Sequence, residues 1–213
     1  MAALREVSAG FESGRVYAIF GDNGAGKSTL LRVIAGLSRP TLGRVQILGS
    51  DDLRAVAGRV GYMAHAPLLY EELTAMENLC YFASLYGIDD AERIEESIVK
   101  VGLDPRLERR VGDYSQGMRQ RLALARALVH DPSILLLDEP FSNVDLASAV
   151  EMAARLGQMR REGRTILVVT HQPEAVAGVA DESVFLSGGR LTSRAQGVGA
   201  APRRASPVVG SLR

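Results

Sequence analysis

The sequence predicts an α/β fold with a mostly parallel sheet, N-terminal antiparallel β elements and an inserted helical subdomain. Three observations carry that expectation. The apolar run Val16-Tyr17-Ala18-Ile19-Phe20 leads into the glycine-rich stretch Gly21-Asp22-Asn23-Gly24-Ala25-Gly26-Lys27-Ser28-Thr29, and that stretch opens onto the helical pattern Leu30-Leu31-Arg32-Val33-Ile34. Two further wholly apolar runs, Ile134-Leu135-Leu136-Leu137 and Ile166-Leu167-Val168-Val169, each follow a helical pattern, as buried parallel strands do. Between these blocks, residues 67–113 show helical periodicity only. A chain of 213 residues is long enough to bury a core for one such domain with a small insert.

Taken in order, residues 3–11 read as a strand with Leu4, Val7 and Phe11 buried, and Glu12-Ser13-Gly14 turn the chain into the next strand. The helix beginning near Lys27 ends at Gly36, which tolerates a left-handed turn, and Pro40 blocks its continuation. Val45-Gln46-Ile47-Leu48 and Arg59-Val60-Gly61-Tyr62-Met63 read as strands, the second delivering His65 to a loop. Thr74-Ala75-Met76-Glu77 has capping-box spacing, and Leu79, Phe82, Ala83 and Tyr86 follow on one helical face. Gly87 ends that helix; Asp89 or Asp90 starts another, with Ile94, Ile98 and Val101 in register until Gly102. The aromatics Tyr70, Tyr81, Phe82 and Tyr86 are expected to serve packing. Ser115 is placed to cap a helix whose apolar face is Met118, Leu122, Ala125 and Val129. Asp145 caps a helix closing at Gly163, residues 173–179 are helical, and Gly188-Gly189 turn a closing hairpin. Residues 193–213, rich in Gly, Ala, Pro, Ser and Arg without periodicity, are expected to be a disordered tail.

The glycine-rich stretch has the spacing G-x-x-x-x-G-K-[ST] in its required place between strand and helix. Gly21, Asn23, Gly24, Ala25, Gly26 and Thr29 supply backbone N–H groups that can curl around phosphate, Lys27 supplies a compact positive charge, and Ser28 can ligand Mg²⁺. The chain holds only two lysines, Lys27 and Lys100, against an arginine-rich background, which makes Lys27 the more telling. A nucleoside phosphate is the implied ligand. Asp138 and Glu139 end the strand Ile134-Leu135-Leu136-Leu137, where such a loop needs a carboxylate for Mg²⁺ and a second acid to act as general base or to orient water. His171, at the end of the next apolar run, can reach the same terminal phosphate as donor or orienting group. For Ser115 the residues themselves favour a helix cap; free N–H groups from Gly117 onward are a second possibility, a phosphate grip.

Composition excludes several classes. Twenty-five basic residues balance twenty-five acidic ones, so no overall field draws the chain to nucleic acid or lipid. The apolar runs are far too short to span a bilayer, and the N-terminus does not read as a signal peptide. Cys80 is the single cysteine, which excludes an intramolecular disulfide and suits a reducing compartment.

The order of parts resembles the ATP-binding-cassette (ABC) ATPases over nearly all of residues 4–192. It consists of the phosphate loop, a helical insert, the Ser115-Gln116-Gly117-Met118 helix start running on through Arg119-Gln120-Arg121-Leu122-Ala123, Leu135-Leu136-Leu137-Asp138-Glu139-Pro140, Ser142-Asn143-Val144-Asp145 and His171. The resemblance implies a discontinuous ABC-type core at 1–66 and 114–192 with a helical subdomain at 67–113. It implies an ATPase using ATP and Mg²⁺, and a head-to-tail pair, either a homodimer or two paired ATPase subunits. In that pair ATP lies between one subunit's loop and the other's Ser115 and Gly117, with Asp145 at the contact. It also implies a motor bound through the insert to an integral membrane subunit, hence peripheral on the cytoplasmic side of the membrane. Two departures stand out. His65 occupies the place where the family commonly has Gln, and no aromatic strand precedes Leu4 to stack on adenine, so weak discrimination between ATP and GTP is expected. Gly61-Tyr62-Met63-Ala64-His65 and the segment from Glu71 to Leu79 are similar to the ATP-binding subunit of the haem exporter of cytochrome c biogenesis. The alternatives are an exporter of drug, lipid or polysaccharide, a soluble non-transport ABC ATPase, or a phosphotransferase on the same loop.

Overall fold

The computed structural model describes residues 3–199 and the backbone of 203–204. Seven strands form one sheet in the order β2-β3-β4-β1-β5-β6-β7. Strands β1 (Val16–Phe20), β2 (Val60–Met63), β3 (Ile134–Asp138), β4 (Thr165–Val169) and β5 (Glu182–Ser187) run parallel, whereas β6 (Arg190–Gln196) and β7 (Arg203–Arg204) continue antiparallel. The fold is the mostly parallel α/β type expected.

The period of two along each strand sorts side chains to the two faces of the sheet. Val16, Ala18, Leu135, Leu137, Ile166 and Val168 enter one apolar cluster; Tyr17, Ile19, Ile134, Leu136, Leu167 and Val169 enter the other. Helix α1 (Lys27–Ile34) covers the second face with Leu30, Leu31 and Ile34. Helices α4 (Gln116–Leu128) and α5 (Leu146–Arg161) cover the first, through residues such as Leu122, Leu124, Met152 and Leu156. Each such side chain withdrawn from water contributes about 1.5–3 kcal/mol. Strands buried on both faces need apolar residues at every position, which is why Ile134-Leu135-Leu136-Leu137 does not alternate.

Helices α2 (Ala75–Ser84) and α3 (Ala91–Lys100) pack on α4, and Leu79, Ala83, Ile94 and Ile98 join the same apolar cluster as the sheet. Thr74 and Glu77 form the expected capping box, and of the two candidate caps for α3 Asp90 is the one used. Asn78 is fully buried at the start of α2. Its amide Nδ2 donates to Tyr70 O and Thr74 O, both at 2.9 Å, and its Oδ1 accepts from Tyr70 N at 2.8 Å. One side chain thus holds the 70–74 loop. Asn78→Ala should leave Tyr70 N without its acceptor, take one of two donors from Tyr70 O and from Thr74 O, and destabilise the protein by about 1–3 kcal/mol, measured as a lowered urea midpoint at unchanged slope.

Four expectations are corrected. Residues 3–11 and Val45-Gln46-Ile47-Leu48 form no strand ladder among the described residues. Leu4, Val7 and Phe11 do pack against the α1 cluster, but as irregular chain, and Ile47 makes a single bridge to Ser50 around a tight turn. Their apolar pattern was satisfied by packing, with no partner strand in register. The aromatics of the insert do not pack inside: Tyr70, Tyr81 and Tyr86 are exposed, Tyr70 edge-on to Tyr81 at 5.1 Å and Tyr86 stacked on His130 at 4.1 Å. Residues 193–196 are not tail but belong to β6, which pairs with Arg203–Arg204; the rest of the expected tail, at 200–202 and 205–213, lies outside the described residues. The helix expected at 173–179 is shorter, α6 (Pro173–Val176). Among the described residues no helix is long and apolar enough to cross a membrane.

Candidate nucleotide-binding site

Parallel pairing assembles the site. Val169 lies opposite Ile19 on one side and Asp138 on the other, so β1, β4 and β3 end in one row at the carboxyl edge. Chain leaving that edge therefore places the glycine-rich loop, Thr170-His171 and Asp138-Glu139 side by side. They border a cleft of about 710 Å³, which Asn23 to Thr29, His65, Glu139 and His171 line.

The loop reaches this shape through glycine. Gly26 sits at φ 101°, and a Cβ there would lie 2.6 Å from Ala3 O; Gly21 sits at φ 152°, and a Cβ there would lie 2.2 Å from Leu186 O. Neither position tolerates a side chain. Gly26 is also the N-cap of α1, and no side chain caps that helix, whereas Thr74, Asp90, Ser115 and Asp145 cap α2, α3, α4 and α5. The first N–H groups of α1 are thus left open to an anion at the positive end of the helix dipole.

Lys27 is 7% exposed, and its ammonium donates to Gly21 O at 2.6 Å and Asp22 O at 3.0 Å. These bonds hold its charge at the mouth of the loop, 3.4 Å from His171 Nε2. Ser28 Oγ donates to Asp138 Oδ1 at 3.0 Å, and Asp138 is buried at the end of β3. The two oxygens form a hard, anionic pair beside the loop. No cluster of three or more His, Cys, Asp or Glu able to hold a metal occurs among the described residues, and Mg²⁺ does not require one: one or two protein oxygens plus phosphate oxygens complete its shell. The residues present fit that ion.

Glu139 sits in the left-handed region at φ 55°, a conformation that neighbouring contacts must hold for a residue with a side chain. Its N–H donates to Val169 O at 3.0 Å and its Oε2 accepts from His171 N at 3.2 Å. Oε1 stands 3.2 Å from His171 Nε2 but is buried without an aligned hydrogen bond. That oxygen is left to accept a proton or orient a donor in the cleft. His65 stands at the rim, exposed.

Ser115, Gly117 and Asp145 do not line this cleft. Ser115 Oγ accepts from Met118 N at 3.2 Å as the cap of α4, and Asp145 Oδ1 accepts from Ser148 N at 3.0 Å as the cap of α5, a bond that holds its carboxyl below the usual range. A Cβ at Gly117 would lie 3.9 Å from Val144 Cγ1, so these residues form a second surface group around the 115–117 and 144–145 turns. Sequence reasoning missed Thr170, Gln172, Phe141 and Ser142, which also line the cleft. Thr170, Gln172 and Phe141 were signalled only by adjacency to His171 and Glu139, and Ser142 only as the start of the Ser142-Asn143-Val144-Asp145 stretch. Phe11 is buried edge-on against Tyr17, ring centroids 4.9 Å apart, and is not free to stack on a base.

A family described as ABC transporter matches residues 4–142. The chain is 40% identical over 199 residues to the ABC transporter ATP-binding protein NatA of Bacillus subtilis (strain 168), an alignment covering 90% of this chain and 81% of that one. It is 35% identical to the bacitracin transport ATP-binding protein BcrA of Bacillus licheniformis, covering 84% of this chain and 60% of the relative. Similarity to the molybdenum import ATP-binding protein ModC of Brucella melitensis is 38%, over 88% of this chain and 55% of the relative. The chain thus spans well under two thirds of the length of several curated relatives. Among solved structures, an ATP-binding cassette dimer in a post-hydrolysis state, bound to ADP and phosphate, superposes with TM-score 0.82 at 26% identity, covering 91% of this chain and 90% of that one. An ATP-binding subunit of an ABC transporter superposes with TM-score 0.79 at 30% identity, covering 91% and 83%.

Proposed function

This chain belongs to the ABC transporter ATP-binding family, and from that premise we propose that it is the ATP-binding and hydrolysing motor subunit of a transporter. One observation carries the reading: a single cleft gathers Lys27, the Ser28–Asp138 pair and the Glu139–His171 pair. Backbone N–H groups of residues 24–29 and the Lys27 ammonium bind the phosphates of ATP. Ser28 and Asp138 hold Mg²⁺, which supplies neutralising charge at the phosphates. Glu139 Oε1 orients the attacking water and takes its proton, and His171 keeps Glu139 in place through its N–H while its ring faces the same phosphate. His65 at the rim polarises or positions water.

Ser115, Gly117 and Asp145 act across a homodimer. They lie outside the cleft of their own chain, so the group they form is available to cover the cleft of a second copy. The core at 1–66 and 114–192 and the helical subdomain at 67–113 then move together through α4.

The insert is the docking face for an integral membrane subunit, which holds the motor on the cytoplasmic side of the membrane. Its exposed Tyr70 and Tyr81 pack on Phe82, and the Arg126 guanidinium lies 5.1 Å from the Phe82 ring centroid. Among the described residues Arg126 has no carboxylate partner, its Nε is buried unpaired, and burial pulls its pKa down. An acidic residue of the membrane subunit answers that cation. Affinity purification from membranes should recover one multispanning protein with the native chain, and Arg126→Glu should lose it, by tenfold or more, while ATP affinity stays the same. Equal recovery with both chains would exclude this face.

Cargo follows from the partner. The relatives are named for bacitracin, molybdenum and other transport, and their names favour neither import nor export. Haem export rests on Gly61-Tyr62-Met63-Ala64-His65 and the segment from Glu71 to Leu79; cytochrome c maturation genes beside this one would support it, and genes for an exporter of drug, lipid or polysaccharide would replace it.

A further inference from the structure

Glu139 is held at a positive φ, a backbone state that costs about 1–3 kcal/mol and persists only where contacts over-determine it. Two loops meet around it, residues 139–142 after β3 and residues 170–172 after β4. Three hydrogen bonds tie the first to the end of β4 and to the second: Glu139 N to Val169 O at 3.0 Å, His171 N to Glu139 Oε2 at 3.2 Å, and Gln172 Nε2 to Phe141 O at 3.2 Å. The first two are properties of any residue at 139 or 171 with a backbone N–H or a carboxylate. The third depends on the side chain of Gln172 alone.

Gln172 is itself set in place. Its N–H donates to Thr170 Oγ1 at 3.0 Å, closing a tight turn around His171, and the accepting carbonyl belongs to Phe141, which is 1% exposed and anchored in the core. The amide orientation follows from that partner, since the reverse would set oxygen against oxygen. Gln172 Oε1 remains buried without a partner. A buried acceptor left unpaired costs about 1–3 kcal/mol, so one hydrogen bond at 3.2 Å makes this glutamine a poor device for stability. It suits geometry better. It ties the strand end bearing His171 to the loop bearing Glu139 on the wall of the cleft itself.

We propose that Gln172 is a positioning residue for hydrolysis, acting through its Nε2–Phe141 O bond to fix the Glu139 carboxylate against His171. The inference rests on the ATPase reading above. A displacement of about 1 Å in such a group costs on the order of a hundredfold in rate.

The test compares native protein, Gln172→Ala and Gln172→Glu for ATP turnover, ATP affinity and thermal midpoint. Gln172→Ala should lower kcat by at least about tenfold, with KM and nucleotide affinity changed less than about twofold and little shift in midpoint. Gln172→Glu keeps the length of the side chain but loses the donor when ionised. Ionised at neutral pH, it should show a loss of kcat as large as that of Gln172→Ala. A purely structural residue would lower the thermal midpoint instead and keep kcat per folded molecule. Unchanged kcat in Gln172→Ala, parallel loss of kcat and affinity, or native kcat in Gln172→Glu would each overturn the role. A native protein that hydrolyses no ATP, alone or with its membrane partner, would instead overturn the ATPase reading, and this inference with it.

Discussion

Glu139→Gln should reduce steady-state ATP hydrolysis by at least about a hundredfold while ATP still binds, and with ATP and Mg²⁺ the variant should accumulate as a dimer. The substitution preserves volume and keeps an acceptor for His171 N, so the left-handed turn and the bond of 3.2 Å survive. What it removes is basicity at Oε1, the carboxylate oxygen with no aligned hydrogen bond of its own. A general base contributes about 10²–10⁴ in rate, and an amide cannot take the proton. Blocking hydrolysis leaves bound ATP in place, and the closed pair has no route to reopen. Phosphate release and light scattering measure the two halves of this expectation. Retained turnover would remove Glu139 from its role, and a monomer with ATP demonstrably bound would remove Ser115 and Gly117 from theirs.

Lys27→Ala should weaken ATP binding by about a hundredfold or more without lowering the thermal midpoint of the nucleotide-free protein. The native ammonium is nearly buried and spends its hydrogen bonds on Gly21 O and Asp22 O, 2.6 and 3.0 Å away. Charge-assisted bonds to phosphate are worth about 1.5–3 kcal/mol each, so losing two of them reaches the stated factor. The two loop carbonyls can turn to water once the side chain is gone, which is why stability should hold. Lys27→Arg separates charge from shape: a planar guanidinium does not fit between those carbonyls, so it should bind nearly as poorly as alanine. Titration with a fluorescent nucleotide, alongside melting curves, distinguishes loss of the site from loss of the fold. Arginine binding like lysine would mean that charge alone is read.

Much of this was legible in the residues because local rules agree there. The phosphate loop needs glycine where φ is positive, a lysine and a hydroxyl, all within nine residues, so Gly21 to Thr29 declared itself. Caps at Thr74, Ser115 and Asp145 are equally local, since an oxygen acceptor three residues before a free N–H is a short-range geometry. Wholly apolar runs at β3 and β4 announced strands buried on both faces.

Other features depended on partners distant in the chain. The segment at residues 3–11 had a strand's pattern, but a strand also needs a neighbour in register, and packing against α1 satisfied its apolar side chains without one. Tyr86 has the spacing of the Leu79, Phe82 and Ala83 face, yet α2 ends at Ser84 and leaves Tyr86 exposed and stacked on His130, a partner distant in the chain. Gln172 carries no motif. By itself the sequence determined the family and pointed to the loop, the two acids and the histidine proposed to serve it, because each of these is marked by residue type and short spacing. Only the tertiary structure decided how Glu139 is held and that Ser115, Gly117 and Asp145 stand apart from their own cleft, because both depend on which strand ends the parallel register brings side by side.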